Sequence, residues 1–399
     1  MIDYSKVLSG VVKEMKPSGI RKFFDIANTM EDVISLGVGE PDFRTPWQVR
    51  AAGIRSLENG ATRYTSNRGL ESLRDEISLY VERKYGVKYN AKDEILVTVG
   101  GSEAIDGAVR SITEPGDEII IPQPSYVCYE PIVRLAGGVP IIVNTKAEND
   151  FKLTRSELLE VITEKTKAII LPYPCNPTGA IMEYEDILAI SETIKDTNII
   201  VISDEIYAEL TYGGKKHVSA PSVPGMKERT ILINGFSKAF AMTGWRLGYA
   251  CGPCELMNMI TKIHQYAIMC APTTSQYAAV EALRNCDDEV ERMLEEYDMR
   301  RKIIVSGFNK IGLTCREPKG AFYAFPCIKS TGLSSEEFCE RLLESKHVAV
   351  VPGTAFGESG EGFVRTSYCY STAHIKEALK RIESFLEELE EEKNKQKSK

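Results

Sequence analysis

Five short stretches of this chain carry residues that could do chemistry together. In Asn234-Gly235-Phe236-Ser237-Lys238-Ala239-Phe240-Ala241-Met242-Thr243-Gly244-Trp245-Arg246, one lysine sits among small and apolar residues just past a run that reads as a buried strand. Desolvation there disfavours the ammonium and lowers its pKa, which makes the amine nucleophilic toward a carbonyl. The plainer reading is a loop lysine snorkelling to water. Arg246, eight residues on, offers a planar guanidinium suited to phosphate. In Ile199-Ile200-Val201-Ile202-Ser203-Asp204-Glu205-Ile206-Tyr207, Asp204 ends a second buried run, where α/β sheets present functional side chains. A helix N-cap is the competing reading.

Val97-Thr98-Val99-Gly100-Gly101-Ser102-Glu103 runs from a strand through two glycines into a helix. Free N–H groups and the helix dipole then face one point, a ready phosphate site, although many strand–helix turns look the same. Pro172-Tyr173-Pro174-Cys175-Asn176-Pro177-Thr178-Gly179 sets the amide of Asn176 in a loop after another buried strand, where a structural turn also explains the prolines. In Gly362-Phe363-Val364-Arg365-Thr366-Ser367-Tyr368 an arginine lies on an apolar strand. Burying it is costly without an anion, which a ligand carboxylate or a structural salt bridge would provide.

The elements that must position these residues follow from periodicity. Strands are predicted near 95–99, 118–121, 139–143, 168–171, 199–203, 230–234 and 246–250, with helical patterns between them such as Gly101–Ile112, Tyr184–Ile194 and Glu255–Tyr266. Strands alternating with helices indicate an α/β fold with a mainly parallel sheet covered on both faces. From about Asp287 a long charged helix (Asp287–Ile311) leads to Gly320-Ala321-Phe322-Tyr323 and short strands near 348–351 and 363–368, a smaller α+β domain. The expected division is a large domain over 44–286, a small one over 287–399, and an N-terminal segment, 1–43, packing with the small domain through a helical stretch at Ser18–Met30. Glu387–Lys399 is almost wholly charged and is expected to fray.

At 399 residues the chain exceeds what one core usually serves, which fits two domains. A net charge of −8 argues against a general nucleic-acid binder. Apolar runs such as Ile119–Ile121 are far too short to span a membrane. Met1-Ile2-Asp3-Tyr4-Ser5-Lys6 lacks the layout of a signal peptide, so a cytoplasmic location is expected. Ten scattered cysteines fit reduced thiols better than a disulfide framework.

Together these motifs resemble the class I/II aminotransferases of pyridoxal-5′-phosphate (PLP) fold type I, in the branch of prokaryotic aspartate and aromatic aminotransferases. The resemblance extends from about Lys16-Pro17-Ser18 to Phe385 and includes Gly39-Glu40-Pro41-Asp42-Phe43, Asn176-Pro177-Thr178-Gly179, Ser203-Asp204-Glu205-Ile206-Tyr207 and Ser237-Lys238 with Thr243-Gly244-Trp245-Arg246. It implies that Lys238 holds PLP covalently and moves the substrate proton, that Asp204 pairs with the pyridine nitrogen, and that Tyr207 and Asn176 meet the phenolate oxygen. It also implies Tyr126 stacked on the ring and Gly101, Ser102, Ser237 and Arg246 near the phosphate. Tyr64 would reach the phosphate of a neighbouring subunit, giving a homodimer with composite sites. Arg365, Asn176 and the backbone at Gly39 would bind the substrate. No metal is implied.

Several positions depart from the family's pattern. Gly235 replaces a frequent serine, and Ser102 stands where aspartate-specific members often carry lysine. Tyr126 replaces a tryptophan common in aspartate enzymes. An aromatic or broad donor range with 2-oxoglutarate as acceptor is therefore expected, with Arg21 as a candidate for an acidic substrate. Aspartate or acyl-diaminopimelate transamination, and a C–S β-lyase on the same fold, are the alternatives. Cys251-Gly252-Pro253-Cys254 has the form of a thioredoxin-like redox site, but sits inside the aminotransferase pattern and reads as a chance substitution.

Overall fold

In the computed structural model, which describes residues 2–15, 17, 19 and 30–397, the apolar runs of the middle of the chain form one sheet. A two-residue strand, β1 (Ile34–Ser35), precedes it. The sheet consists of β2 (Ile95–Thr98), β3 (Glu118–Gln123), β4 (Val139–Asn144), β5 (Thr166–Leu171), β6 (Ile200–Asp204), β7 (Thr230–Gly235) and β8 (Gly248–Cys251). Its order is β2-β8-β7-β6-β5-β3-β4, and only β8 runs antiparallel to its neighbours. This is the seven-stranded, mainly parallel sheet expected from the alternation of strands and helices.

The pleat sorts each run between two layers, because successive side chains point to opposite faces. Ile119, Ile121, Ile170, Ile202, Ile231 and Ile233 pack in one core, with residues of helices Gly100–Ile112 and Cys254–Ala267. Ile120, Ile169 and Val201 pack in another, with Ile187, Ile190 and Ile194 of helix Tyr184–Ile194. Burying such a side chain contributes about 1.5–3 kcal/mol, so the strand ends are held on a rigid base. The same alternation decides the facing of the next residues. Asp204 follows Ile202 and Ser203, and its carboxylate meets Tyr129 of the first layer. Glu205 turns the other way, to Ser203, His217 and the N–H of Ala220.

Beyond the sheet lie β9 (Tyr323–Ala324), β10 (Val348–Ala349), β11 (Val351–Pro352) and β12 (Val364–Ser367). β9, β11 and β12 form an antiparallel sheet in the order β11-β12-β9, while β1 pairs in parallel with β10. Ile34 and Leu36 share a buried cluster with Phe308, Phe338, Val348 and Phe385, and Tyr207 and Leu210 from the end of β6 join it.

One expectation fails. The charged tail does not fray at Glu387, for a helix runs unbroken from Thr372 to Lys397. Ile375, Leu379, Ile382, Phe385 and Leu389 form an apolar stripe at helical spacing along it, and Leu389 is buried. Ion pairs from Arg341 to Glu392 at 2.8 Å and from Lys346 to Glu388 fasten the same stretch. The helical stretch expected at Ser18–Met30 lies almost wholly outside the described residues. Among the described residues no helix is long and apolar enough to cross a membrane.

Candidate active site

All strands of the large sheet except β8 point the same way, so their carboxyl ends share one edge. Asp204 is the last residue of β6, and Lys238 follows the end of β7 by three residues. Tyr126 follows β3, Asn176 follows β5, and Gly100 follows β2.

Burial sets the electrostatics of the two central groups. Lys238 Nζ donates to the carbonyl of Gly39 at 2.7 Å and lies 5.9 Å and 5.6 Å from the ring centres of Tyr207 and Phe322. Desolvation pulls this amine down from the ordinary lysine range to about 8. Asp204 accepts from the Tyr129 hydroxyl at 2.7 Å and from the Ile206 N–H at 3.2 Å. Desolvation outweighs both hydrogen bonds and pushes its carboxyl up to about 6.

Arg365, on β12, is only 2 % exposed. Its Nη1 donates to Asn176 Oδ1 at 3.0 Å and its Nη2 to the carbonyl of Gly37. Its guanidinium carbon lies 4.5 Å from the Tyr323 ring centre and 4.8 Å from that of Phe356. Its Nε is buried without a hydrogen-bond partner among the described residues. No carboxylate of the described chain pairs with this arginine, so the structural salt bridge entertained from sequence is not what holds it.

At the other end of the cluster, Arg246 has a left-handed backbone, φ +50°, and donates from Nη1 to the carbonyl of Thr243 at 3.0 Å. It lies against Gly100, whose φ is +76° and where a Cβ would fall 2.7 Å from Arg246 Nη2, so a side chain there would be strained and would displace the guanidinium. Gly101 and Ser102 follow in the first turn of helix Gly100–Ile112, with Ser102 exposed. A cleft of about 600 Å³ opens beside Arg246, lined also by Glu40, Arg44, Arg50 and Trp245. Ser237 is buried next to Lys238, and the half-buried Tyr126 packs edge-on to Tyr129 at 6.0 Å.

The structure thus links Gly39, Lys238, Tyr207, Arg365 and Asn176 directly or through Tyr323, while Asp204, bonded to Tyr129, stands at its own strand end, with Tyr126, Gly101, Ser102 and Arg246 at the neighbouring ones. Tyr64 stands on the surface, 81 % exposed, rather than among these residues. Arg21 lies outside the described residues. Tyr129 and Tyr323 are partners of these residues that sequence reasoning passed over. Tyr129 opens the helix Tyr129–Leu135 three residues after Tyr126, close enough in the chain for the two rings to meet edge-on. Tyr323 stands in a segment that reads only as the entry to the smaller sheet.

The cysteine pair gains no support from its surroundings. Cys251 is fully buried in β8, with its thiol pushed well above its usual range by desolvation, which disfavours the reactive thiolate. Cys254 starts a helix and accepts from Asn258 Nδ2 at 3.4 Å, and all ten cysteines are free. Among the described residues no group of three or more His, Cys, Asp or Glu side chains is arranged to hold a metal ion.

Residues 31–382 match the family profile described as aminotransferase class I and II. The chain is 46 % identical to the aspartate aminotransferase of Pyrococcus abyssi, over 94 % of this chain and 97 % of that protein. It is 42 % identical to the aromatic-amino-acid aminotransferase 2 of Thermococcus litoralis, over 96 % and 98 %. Among solved structures, the aromatic aminotransferase from Pyrococcus horikoshii OT3 superposes with a TM-score of 0.88 at 43 % identity, covering 92 % of this chain and 99 % of that one.

Proposed function

The chain belongs to the class I and II aminotransferases, and from that premise we propose which substrates it joins and how its residues hold them. It is an enzyme of amino-group transfer, and its family is PLP-dependent in general. Our reading is that it takes an L-amino acid of aromatic or broad range as donor and a 2-oxo acid such as 2-oxoglutarate as acceptor.

The residues present fit PLP. Asp204 is a buried carboxylate without an ion pair among the described residues, and a pyridinium N–H would supply the missing positive charge. The turn at Gly100 opens a helix whose first N–H groups, with Gly101, Ser102 and Arg246, suit a phosphate. Lys238 already has the lowered pKa that attack on an aldehyde requires. When bound, PLP supplies an electron sink for the charge left at the substrate Cα.

The chain's own residues do the rest. Lys238 would be the base that takes the proton from the substrate Cα and returns it to the cofactor side, a task suited to an amine near its pKa. With PLP bound, Asp204 would keep the ring nitrogen protonated, Tyr207 and Asn176 would hold the phenolate oxygen, and Tyr126 would cover the ring. Arg365 grips the α-carboxylate and so aims the Cα–H bond, with Gly39 contributing backbone contacts. The rings of Tyr323 and Phe356 keep water from the guanidinium, which strengthens that grip.

One observation carries the reading: a guanidinium that is 2 % exposed, flanked by two aromatic rings, with a buried Nε left unbonded. A buried cation with an unfilled donor is what a carboxylate ligand completes. The aromatic shell, with Ser102 and Tyr126 at positions where aspartate enzymes often differ, supports large donor side chains. Tyr64, exposed on the single chain, supports a homodimer in which it reaches the partner's phosphate site. The division at residues 43 and 286 and a cytoplasmic location, which ten free thiols favour, belong to the same reading.

Incubation with L-phenylalanine and 2-oxoglutarate should yield glutamate and phenylpyruvate, and sedimentation should give twice the mass of one chain. Pyruvate and ammonia released from cystathionine without any 2-oxo acid, with no glutamate formed from any donor, would replace transamination by β-elimination.

A further inference from the structure

Tyr323 belongs to β9 of the smaller sheet, yet its side chain reaches groups of the larger one. Its hydroxyl lies 2.8 Å from that of Tyr207, and its ring lies under the Arg365 guanidinium. The same hydroxyl fills the space beside Gly39, where a Cβ would lie 2.0 Å from it. The Gly39 carbonyl in turn accepts from Lys238. One phenol therefore adjoins three groups assigned to the reaction.

The segment leading to it is firmly held. The N–H groups of Lys319 and Gly320 both donate to the Gly179 carbonyl at 2.9 Å, and the Ala321 N–H donates to the Leu210 carbonyl at 2.9 Å. Ala321 adopts φ +57°, a region alanine rarely enters. Its carbonyl accepts from Tyr368 at 3.1 Å and from Tyr212. Surroundings that hold an unfavourable backbone angle this way fix the side chains that follow.

We propose that Tyr323 is a positioning residue for amino transfer: its hydroxyl donates to the Tyr207 oxygen and so directs and strengthens the Tyr207 hydrogen bond to the cofactor. This rests on the reading of Tyr207 given above. Tyr207 has one hydroxyl proton. If that proton goes to the cofactor's phenolate oxygen, the Tyr207 oxygen can only accept from Tyr323, and the bond between them acquires a direction. In a desolvated site, a hydroxyl that accepts one hydrogen bond becomes a better donor of the next.

The test reads the pH midpoint of the visible absorption of the PLP-loaded protein, which reports loss of the proton shared between the Lys238 nitrogen and the phenolate oxygen. A donor to that oxygen favours the form in which the proton has gone, so a weakened donor raises the midpoint. Tyr323→Phe keeps the ring under Arg365 and removes only the hydroxyl. It should move the midpoint up by roughly 0.3–1 unit, with amino-acid KM changed less than about twofold. Tyr207→Phe should move it further, and the double variant no further than Tyr207→Phe alone, because Tyr323 acts through Tyr207. Gly39→Ala, with Tyr323 intact but its hydroxyl displaced, should shift the midpoint in the same direction and serves if Tyr323→Phe does not fold.

An unmoved midpoint in Tyr323→Phe, or in Gly39→Ala where that variant stands in for it, overturns the proposal. So does a double variant whose shift is the sum of the single shifts. A wild-type protein that takes up no PLP sinks the underlying reading as well. A wild-type protein with a visible band and an unmoved Tyr323→Phe sinks only the role of Tyr323.

Discussion

The Tyr129 hydroxyl donates a 2.7 Å hydrogen bond to Asp204, whose buried carboxylate has no ion pair among the described residues. The hydrogen bond is too weak to offset burial, which is why this carboxyl is raised from 3.8 to about 6. As pH rises between those values the unfolded chain loses the proton first, so the PLP-free protein loses stability across that window and does not regain it above. A cation bound at Asp204 removes this penalty. The difference in Tm between loaded and PLP-free protein should therefore widen from about pH 4 to pH 6 and then level. In Asp204→Asn the widening should vanish; thermal scans that show it intact would place the cation elsewhere.

Lys238 gives a second dependence of opposite sense. Its amine, lowered to about 8, reacts only when neutral. The initial rate at which PLP-free protein takes up PLP should rise with pH and level off above about 8, well before ordinary lysines deprotonate. Stopped-flow absorbance checks this, and a rate still climbing tenfold per unit beyond pH 9 would contradict the lowered value.

Arg365→Ala should raise KM for every amino acid and lower kcat/KM by roughly 10–150-fold, the equivalent of ~1.5–3 kcal/mol for a charged hydrogen bond. Arg365→Lys should recover only part, because an ammonium cannot reproduce the planar fork between Tyr323 and Phe356. Steady-state kinetics with several donors would show it. Unchanged KM in Arg365→Ala would move the carboxylate site.

Donor choice follows from the aromatic surroundings of the site. Apolar pockets discriminate by only ~1–3 kcal/mol per methylene, so breadth is expected, with phenylalanine or tyrosine matching or exceeding aspartate in kcat/KM. Arg21→Ala should slow the half-reaction with 2-oxoglutarate selectively. Single-turnover measurements of the two half-reactions separate these effects, and a strong preference for aspartate, or equal loss in both halves, would overturn the assignment.

What the sequence revealed was what repeats or ends abruptly. The runs before Gly100, Asp204 and Lys238 show the strands, with Asp204 as the polar residue that ends one and Lys238 as the polar residue three positions past the end of another. The strands drawn at 199–203 and 246–250 appear as Ile200–Asp204 and Gly248–Cys251, within the fraying expected of strand ends. Contacts set by the meeting of distant segments were illegible. Nothing in the spacing of Gly37, Asn176 and Arg365 announces that the Arg365 guanidinium joins the other two, nor that Tyr323 touches Tyr207, since contacts between segments far apart in sequence leave no local period. The tail was misread for a different reason. Its charges outnumber its apolar residues, and one buried apolar residue per turn, ending at Leu389, suffices to keep the helix docked.

Attachment of PLP and movement of the substrate proton both depend on Lys238. Borohydride reduction of the PLP-loaded protein, followed by proteolysis and mass mapping, should place the pyridoxyl group on the peptide containing Ser237-Lys238 and on no other. Lys238→Ala should escape that labelling and lose nearly all turnover. A label on a different lysine, or a Lys238→Ala protein that still transaminates at the wild-type rate, would contradict it.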